Sequence, residues 1–189
     1  MNEGQVSVDG VTHQLGMHFM VLATQNPMEH HGTYPLPESQ LDRFLMRLRI
    51  GYPDSASERE ILRRSAFNGT APAPLLHADD VLLLQRESAS VRVDDAIVDY
   101  ILAIVERTRN HESLSLGVSP RGAQALYRAS QSMAYLDGRS FVTPDDVKAL
   151  AVPVFAHRVA LSARAGAQRS AQAAERVLEE ILTLTEVPL

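Results

Sequence analysis

The sequence predicts an α/β fold in which a short β-containing segment precedes a longer all-helical one. Three observations predict it. An Asp9-Gly10 pair between β-forming residues and an apolar run from Met17 to Thr24 are both typical of strands. Farther along the chain, the apolar residues recur at helical spacing instead. We place the boundary after Pro53, where a turn-rich stretch begins to give way to helix, so the expected segments are residues 1–53 and 54–189.

The composition bounds the class of protein. With 189 residues and 45% apolar residues, the chain is long enough for one globular domain or two small ones. No run approaches the roughly 18 apolar residues of a membrane span, and no cysteine is available for a disulfide or a thiolate metal site. The net charge of −5 argues against a nucleic-acid partner. We therefore expect a cytoplasmic globular protein.

The sequence contains no phosphate-binding P-loop. That motif requires the pattern Gly-x-x-x-x-Gly-Lys-Ser/Thr. Lys148 is the only lysine in the chain, and the residues that precede it are Asp-Asp-Val. A complete nucleotide site of the P-loop type is therefore not encoded in this sequence.

Three β elements are expected in the first segment. Gln5 to Leu15 is predicted to form a hairpin with a tight type I′ turn. Met17 to Thr24 is almost continuously apolar, which is typical of a strand buried on both faces of a parallel sheet. Phe44 to Ile50 alternates in polarity, which suits a strand nearer the sheet edge. The buried strand would deliver Asn26 at its carboxyl end, where open α/β sheets bind ligands.

The second segment is predicted to be entirely helical. Its first helix opens at a capping box, Ser57-Glu-Arg-Glu60, and carries three residues inward: Ile61, Leu62 and Ser65. A short helix follows from about Ala78 to Ser88. Ser119-Pro120 and Thr143-Pro144 are two further helix starts, because each joins an N-capping hydroxyl to a proline in the first turn.

Two helices of this segment are expected to bury an apolar stripe. Asp94 can cap the first, whose inward residues are Ile97, Ile101, Ile104, Val105 and Thr108. The second, Ala171 to Leu184, groups four apolar residues on one face: Val177, Leu178, Ile181 and Leu182.

Two residues of the first segment could carry chemistry. The carboxamide of Asn26 can hold a water through one hydrogen bond and a phosphate oxygen through another, although an asparagine before a proline is also a common turn former. Arg43 follows a short helical stretch, and its planar guanidinium can bind phosphoryl oxygens bidentately. The alternative for Arg43 is a surface arginine paired with Asp42 or Glu38.

Arg121 is the third candidate. It lies in the first turn of a predicted helix, where the helix dipole disfavours a cation by up to about 1 kcal/mol. An anion bound at that helix start would explain the placement, because backbone N–H groups and the guanidinium would converge on it. The alternative is a solvated arginine at no special site.

Other candidates are weaker. His30-His31 lacks further metal ligands, so no metal site is expected there. Val91 to Asp95 superficially resembles a Walker B strand, but we interpret it as a helix start. We interpret His157 and Arg158 as residues of internal packing or of contacts between subunits.

Several blocks of the sequence together resemble one family. They are Ala23-Thr-Gln-Asn-Pro27, Gly32-Thr-Tyr-Pro-Leu-Pro-Glu38, Gln40-Leu-Asp-Arg-Phe44, Gly117-Val-Ser-Pro-Arg121 and Val142-Thr-Pro-Asp-Asp-Val-Lys-Ala-Leu150. In order and spacing they are similar to the MoxR family of AAA+ ATPases. The resemblance begins within the family's P-loop α/β core, so we expect a piece of a longer protein or a misassigned start. It implies a β-hairpin and the last strands of that core, followed by an all-α lid domain.

The resemblance also implies a function. Members hydrolyse ATP with Mg²⁺, in a ring of subunits that is expected to be a hexamer, and act as chaperones that remodel partner proteins, often ones with von Willebrand factor A domains. By position, Asn26 resembles sensor 1, Arg43 the arginine finger and Arg121 sensor 2. The Walker A and Walker B segments, which supply the Mg²⁺ and most phosphate contacts, are absent, so this chain alone is predicted to be weakly active or inactive.

Two other functions remain open at this stage. The chain could be a non-catalytic module that assembles through its lid with a P-loop-bearing AAA+ partner, which the missing P-loop lysine favours. The persistence of all three nucleotide-sensing positions opposes it. A DNA-remodelling role is a third possibility, and the acidic balance of the chain counts against it.

Overall fold

The computed structural model describes residues 4–16, 19–25, 37–63, 73–162 and 171–188. Within those ranges the helices are α1 (Glu38–Leu41), α2 (Ser55–Arg63), α3 (Ala78–Ala89), α4 (Asp95–Asn110), α5 (Pro120–Leu136), α6 (Pro144–Phe155) and α7 (Ala171–Leu184). The strands are β1 (Gln5–Val8), β2 (Val11–Gln14), β3 (Leu114–Leu116) and β4 (Ala160–Leu161), which form two antiparallel pairs, β1 with β2 and β3 with β4.

The amino-terminal hairpin has the predicted turn. β1 pairs with β2 so that Val8 faces Val11 and Gln5 faces Gln14. The two turn residues, Asp9 and Gly10, both have positive φ, at 51° and 80°. A type I′ turn needs positive φ at both central residues, and its twist matches that of the strands it connects. The hairpin prediction is confirmed.

Helices α4, α5, α6 and α7 enclose the hydrophobic core. The largest fully buried side chains in it come from all four helices and include Ile104, Leu126, Phe155, Leu178 and Ile181. The five residues predicted to line the inner face of α4 are all buried, and the four of α7 are buried or packed against the core. Helical spacing therefore predicted the core-facing stripes of α4 and α7 correctly.

Three of the predicted helix starts are capped as expected. Asp94 accepts a hydrogen bond from the Ala96 amide at 3.2 Å, and Ser119 accepts one from Gly122 at 3.2 Å. Thr143 forms a capping box with Asp146, whose carboxylate accepts from the Thr143 amide at 2.8 Å. These contacts satisfy amide groups that have no partner within the helix.

The start of α2 differs from the prediction. The Ser57 amide donates to the Asp54 carboxylate at 2.7 Å, so Asp54 caps the helix and Ser57 lies inside its first turn. Ile61 and Leu62 were expected to point inward, yet Leu62 is 86% exposed. None of the described elements covers this helix, which explains the exposure. Ser65 lies outside the described residues.

The two longer predicted strands are not formed. Residues 19–25 and 44–50 have no strand structure, and Leu22 and Leu48 are 83% and 71% exposed. A buried parallel strand needs hydrogen-bonding neighbours, and the described residues offer none to either segment. Conversely, the predominantly helical second segment contains the short β3–β4 pair, which the helical spacing did not predict.

None of the described helices is long and apolar enough to cross a membrane.

Candidate functional site

Asp42 lies at a junction between the chain's first segment and its helical domain. Directly after α1, its carboxylate accepts a hydrogen bond from the hydroxyl of Ser119, with distances of 3.2 Å to Oδ1 and 3.3 Å to Oδ2. The same carboxylate forms an ion pair with Arg158, whose Nε lies 3.1 Å from Oδ1. One acidic side chain thereby connects the segment after α1 to the start of α5 and to the end of α6.

Arg158 is buried and donates hydrogen bonds to backbone carbonyl groups of the segment around Asp42. Its side chain is 2% exposed. Beyond the ion pair, Nη1 donates to the Leu45 carbonyl at 3.0 Å, and Nη2 donates to the carbonyls of Asp42 at 3.2 Å and Phe44 at 2.5 Å. Nη1 also contacts the Val154 carbonyl within α6. A guanidinium carries five N–H donors in a fixed plane, so a single side chain can hold an irregular stretch of backbone in one shape.

The pKa of Arg158 depends on its burial and on the charges of Asp42 and Arg121. Burial lowers the pKa of the Arg158 guanidinium, because desolvation disfavours the charged form. The Asp42 carboxylate raises that pKa through its charge and its hydrogen bond, and Arg121 lowers it by repulsion. Asp42 therefore compensates the charge of the buried Arg158, which is also repelled by the exposed Arg121.

His157 lies beside Arg158 in the same buried region. Its Nε2 lies 3.0 Å from the Phe44 carbonyl, and its Nδ1 is buried with no hydrogen-bond partner in the part of the chain that the structure describes. Burial lowers the pKa of His157, and the positive charges of Arg158 and Arg47 lower it further, against opposing contributions from the Phe44 carbonyl and the Asp42 charge. Both residues that were interpreted as packing or intersubunit contacts are thus buried side by side against the segment after Asp42.

The segment after Asp42 is anchored at two more places. The Arg47 amide donates to the Pro153 carbonyl of α6 at 2.9 Å. The Arg47 guanidinium lies 2.6 Å from the carboxylate of Glu175 on α7, and that of Arg49 lies 3.0 Å from it. The segment after Asp42 is therefore held against α6 and α7 as an irregular stretch rather than as the predicted strand.

The structure brings two of the predicted site residues to the same junction. Arg43 follows Asp42 directly, and Arg121 stands two residues after Ser119, so each arginine is close in sequence to one partner of the Asp42–Ser119 hydrogen bond. Both side chains are exposed, and neither forms an ion pair with a described residue. The alternative in which Arg43 pairs with Asp42 is therefore not formed, and the Glu38 side chain lies outside the described ones. Asn26 and His30-His31 lie outside the described residues.

A carboxylate of the protein itself also lies at the start of α5, where Asp42 accepts a hydrogen bond from the capping serine. That carboxylate pairs with Arg158, so the bound anion suggested by the sequence to explain the placement of Arg121 stays a prediction. The other weak candidate, the segment from Val91 to Asp95, is a helix start: Asp94 caps α4. Among the described residues, no group of His, Asp and Glu side chains could hold a metal ion.

Three residues of this junction were missed by sequence reasoning. Asp42 was considered only as a partner for Arg43, Ser119 only as a helix cap, and Arg158 only as packing. Asp42 and Arg158 are 116 positions apart, so no local pattern could join them. The available signal was an arginine just beyond a helix end, which ordinarily indicates only a favourable interaction with the helix dipole.

A hairpin segment followed by a helical domain is in keeping with the sequence resemblance to an AAA+ ATPase. The comparisons agree. Residues 1–46 match the ATPase family associated with various cellular activities (AAA), and residues 106–181 match the AAA lid domain. The chain belongs to the MoxR family of AAA+ ATPases. The predicted fold class is also confirmed.

The relatives cover the whole chain. This chain is 46% identical to the uncharacterized protein YeaC of Bacillus subtilis, over 100% of this chain and 59% of YeaC. It is 37% identical to the chaperone MoxR1 of Mycobacterium tuberculosis, over 100% of this chain and 52% of MoxR1. A solved structure from Cytophaga hutchinsonii, provisionally described as that of an ATPase, matches with a TM-score of 0.87 and 34% identity, over 100% of this chain and 60% of that one. The chain thus spans little more than half the length of these relatives.

Proposed function

We propose that this chain supplies the nucleotide-sensing arginines of a MoxR-type AAA+ ATPase. In this proposal residues 1–53 belong to the ATPase core and residues 54–189 form the lid. Arg43 acts as the arginine finger on the nucleotide of an adjacent subunit, Arg121 acts as sensor 2, and Asn26 orients the attacking water. The ring is proposed to be a hexamer, and its clients to be proteins such as those with von Willebrand factor A domains, in keeping with the name chaperone borne by the relative MoxR1.

The observation that supports this proposal most is the position of the two arginines. Arg43 and Arg121 are exposed and unpaired among the described residues, yet their backbones are joined through the Asp42–Ser119 hydrogen bond. A guanidinium on a fixed backbone is suited to charge that develops on a transferring phosphoryl group. In other phosphoryl-transfer enzymes an arginine finger contributes about 10³–10⁵ in rate.

ATP and Mg²⁺ fit these residues only in part. Arg43 and Arg121 offer donors for phosphate oxygens, whereas the described residues offer no carboxylate cluster for the metal and the sequence has no P-loop. When bound, Mg²⁺ would neutralise charge on the β- and γ-phosphates. We propose that a P-loop-bearing segment or partner supplies the metal site, so that the isolated chain turns over ATP slowly or not at all.

The first test is nucleotide binding by the isolated chain. Calorimetry with a non-hydrolysable ATP analogue and Mg²⁺ would compare wild type with Arg121→Ala, and with Arg128→Ala as a control at an exposed arginine farther along the same helix. Absence of binding in all three supports the need for a P-loop partner. Binding that only Arg121→Ala removes would show that the junction forms a site of its own, against the dependence on a P-loop.

The arginine-finger role is tested in mixed assemblies. The ATPase rate of a P-loop-bearing MoxR relative is measured while wild-type chain or Arg43→Ala is added in increasing amounts. We expect wild type to sustain hydrolysis in the mixed ring, and Arg43→Ala to reduce it in proportion to its incorporation. Equal effects of the two chains would instead favour the non-catalytic module, which docks without acting on nucleotide.

A further inference from the structure

We infer that Asp42 and Arg158 are positioning residues that fix Arg43 relative to Arg121. Neither is expected to touch nucleotide. Through the hydrogen bond to Ser119 and the buried guanidinium, they hold the backbone that carries Arg43 against the helix that carries Arg121. This inference rests on the proposed function only for the roles of the two arginines, because the positioning itself is a property of the folded chain.

The first step of the argument concerns the backbone around Arg43. The carbonyls of Asp42, Phe44 and Leu45 all accept hydrogen bonds from Arg158, so they are fixed both before and after Arg43. No regular strand or helix supplies these hydrogen bonds, because α1 ends at Leu41 and the following residues are irregular. The direction in which Arg43 leaves the backbone is therefore set by a side chain from the helical domain.

The second step concerns the start of α5. Ser119 uses its hydroxyl proton for Asp42 and its oxygen for the amide of Gly122. Gly122 also allows close approach of Arg158, because a Cβ at that position would lie 2.9 Å from Arg158 Cδ. Arg158 thus packs directly against the first turn of the helix that presents Arg121.

The consequence is a joint movement of the two arginines. A rotation of the helical domain that moves Arg121 also carries Arg158 and, through it, the backbone of Arg43. In the assembled ring, the state of the nucleotide sensed by Arg121 would then alter where Arg43 is presented to the next subunit.

The positioning is tested by a distance measurement in the folded chain. The sequence has no cysteine, so two introduced cysteines carry spin labels uniquely. Labels at Gln40 on α1 and Gln124 on α5, both exposed, report the separation of the two elements by pulsed electron spin resonance. We expect a narrow distance distribution in the labelled parent, and a distribution at least twice as broad after Asp42→Asn. An unchanged distribution in a folded Asp42→Asn chain would overturn the inference.

Controls separate positioning from general loss of structure. Asp137→Asn removes another aspartate that pairs with an arginine, Arg139, at the opposite end of α5, and it should leave the distribution narrow. If Asp42→Asn lowers the helical circular dichroism, the comparison of Ser119→Ala with Thr143→Ala decides. Each removes one capping hydroxyl, and only Ser119→Ala should broaden the distribution; equal distributions in these two variants would also overturn the inference.

A second readout links positioning to activity. In the mixed-ring ATPase assay, Asp42→Asn should reduce the rate as Arg43→Ala does, and the double variant should be no worse than Arg43→Ala alone, because the positioning of an absent side chain is irrelevant. Additive losses would overturn the inference. If Arg43→Ala itself has no effect on the rate, the proposed function fails, and the spin-label distances still decide the positioning.

Discussion

The Ser119 hydroxyl oxygen lies 3.2 Å from Asp42 Oδ1 while accepting a hydrogen bond from the Gly122 amide at 3.2 Å. One hydroxyl is thus both the cap of α5 and the link to a segment far away in sequence. Because the hydroxyl donates in one direction and accepts in the other, the two roles do not compete. The cap of this helix is therefore also part of a tertiary contact.

Removal of the buried guanidinium should strongly destabilise the fold. Arg158→Ala leaves the Asp42 carboxylate without its cation and removes one donor from each of three backbone carbonyls. Breaking a fully buried ion pair from one side costs about 3–5 kcal/mol, and the loss here should lie at the lower end because the Asp42 side chain is 25% exposed. Denaturant unfolding should show this loss, whereas Arg128→Ala, on the exposed face of α5, should stay within about 0.5 kcal/mol of wild type. A loss below about 1 kcal/mol for Arg158→Ala would contradict the account.

The close contact at Gly122 predicts a cost for adding one methyl group. In Gly122→Ala the new Cβ would lie 2.6 Å from Val118 Cγ1 and 2.9 Å from Arg158 Cδ. Overpacking of this kind costs about 1–3 kcal/mol, against about 1 kcal/mol gained from alanine in a helix. We expect a net decrease in the unfolding free energy and a weaker Asp42–Arg158 contact. Gln124→Ala on the same helix makes no such contact and should be neutral or stabilising.

The stability of the fold should decline in mild acid because of His157. An unfolded histidine takes up a proton near pH 6.5, and the folded one does so only at lower pH, since its pKa is lowered. Below about pH 6.5 the unfolded state therefore binds more protons than the folded state. The unfolding free energy decreases as the pH is lowered, until the folded His157 is protonated too. The groups that face the ring are Arg158, Arg47 and Asp42, together with the Phe44 carbonyl.

Thermal unfolding of wild type and His157→Gln between pH 5 and pH 8 tests this expectation. Glutamine can still donate toward the Phe44 carbonyl but does not titrate in this range. The variant should lose less stability than wild type between pH 7 and pH 5. Parallel curves for the two proteins would exclude His157 as the source of the acid sensitivity.

Asp146, in the first turn of α6, should contribute more to the unfolding free energy than the neighbouring Asp145. Its carboxylate accepts from Arg139 at 2.6 and 2.7 Å and from the Thr143 amide and hydroxyl at 2.8 and 2.9 Å. Burial opposes its charge, yet the hydrogen bonds from Arg139 and Thr143 lower its pKa overall. Asp146→Ala should lower the unfolding free energy by about 1.5–3 kcal/mol, the range for hydrogen bonds to charged groups. Asp145→Ala, which removes an exposed carboxylate one position earlier, should have a much smaller effect.

The sequence predicted best those features that depend on nearby residues. Asp94, Ser119 and Thr143 cap helices because a cap needs only the amides two or three positions ahead. The turn at Asp9-Gly10 likewise depends on two residues alone. Where two local signals competed, the choice was wrong: Asp54, rather than Ser57, provides the cap of α2.

Features that depend on distant partners could not be predicted. The apolar run that includes Leu22 has the pattern of a strand. A strand forms only when a neighbouring strand hydrogen-bonds to it, and the described residues supply no such neighbour. The pairing of Asp42 with Arg158 could not be predicted from the residues around either position, because the two are 116 positions apart. Arg43 and Arg121 could be singled out by residue type and resemblance, whereas the contacts that bring their backbones together could not.

The buried pair of Asp42 and Arg158 also constrains how the chain can diverge. Loss of Asp42 alone leaves the buried Arg158 without its carboxylate, and loss of Arg158 alone leaves a carboxylate that is only 25% exposed without its cation. We therefore expect substitutions at the two positions to be coupled although 116 positions separate them. Among descendants of this sequence, a lost carboxylate at position 42 should be accompanied by an uncharged residue at position 158. Lineages that retain one charge without the other should be rare.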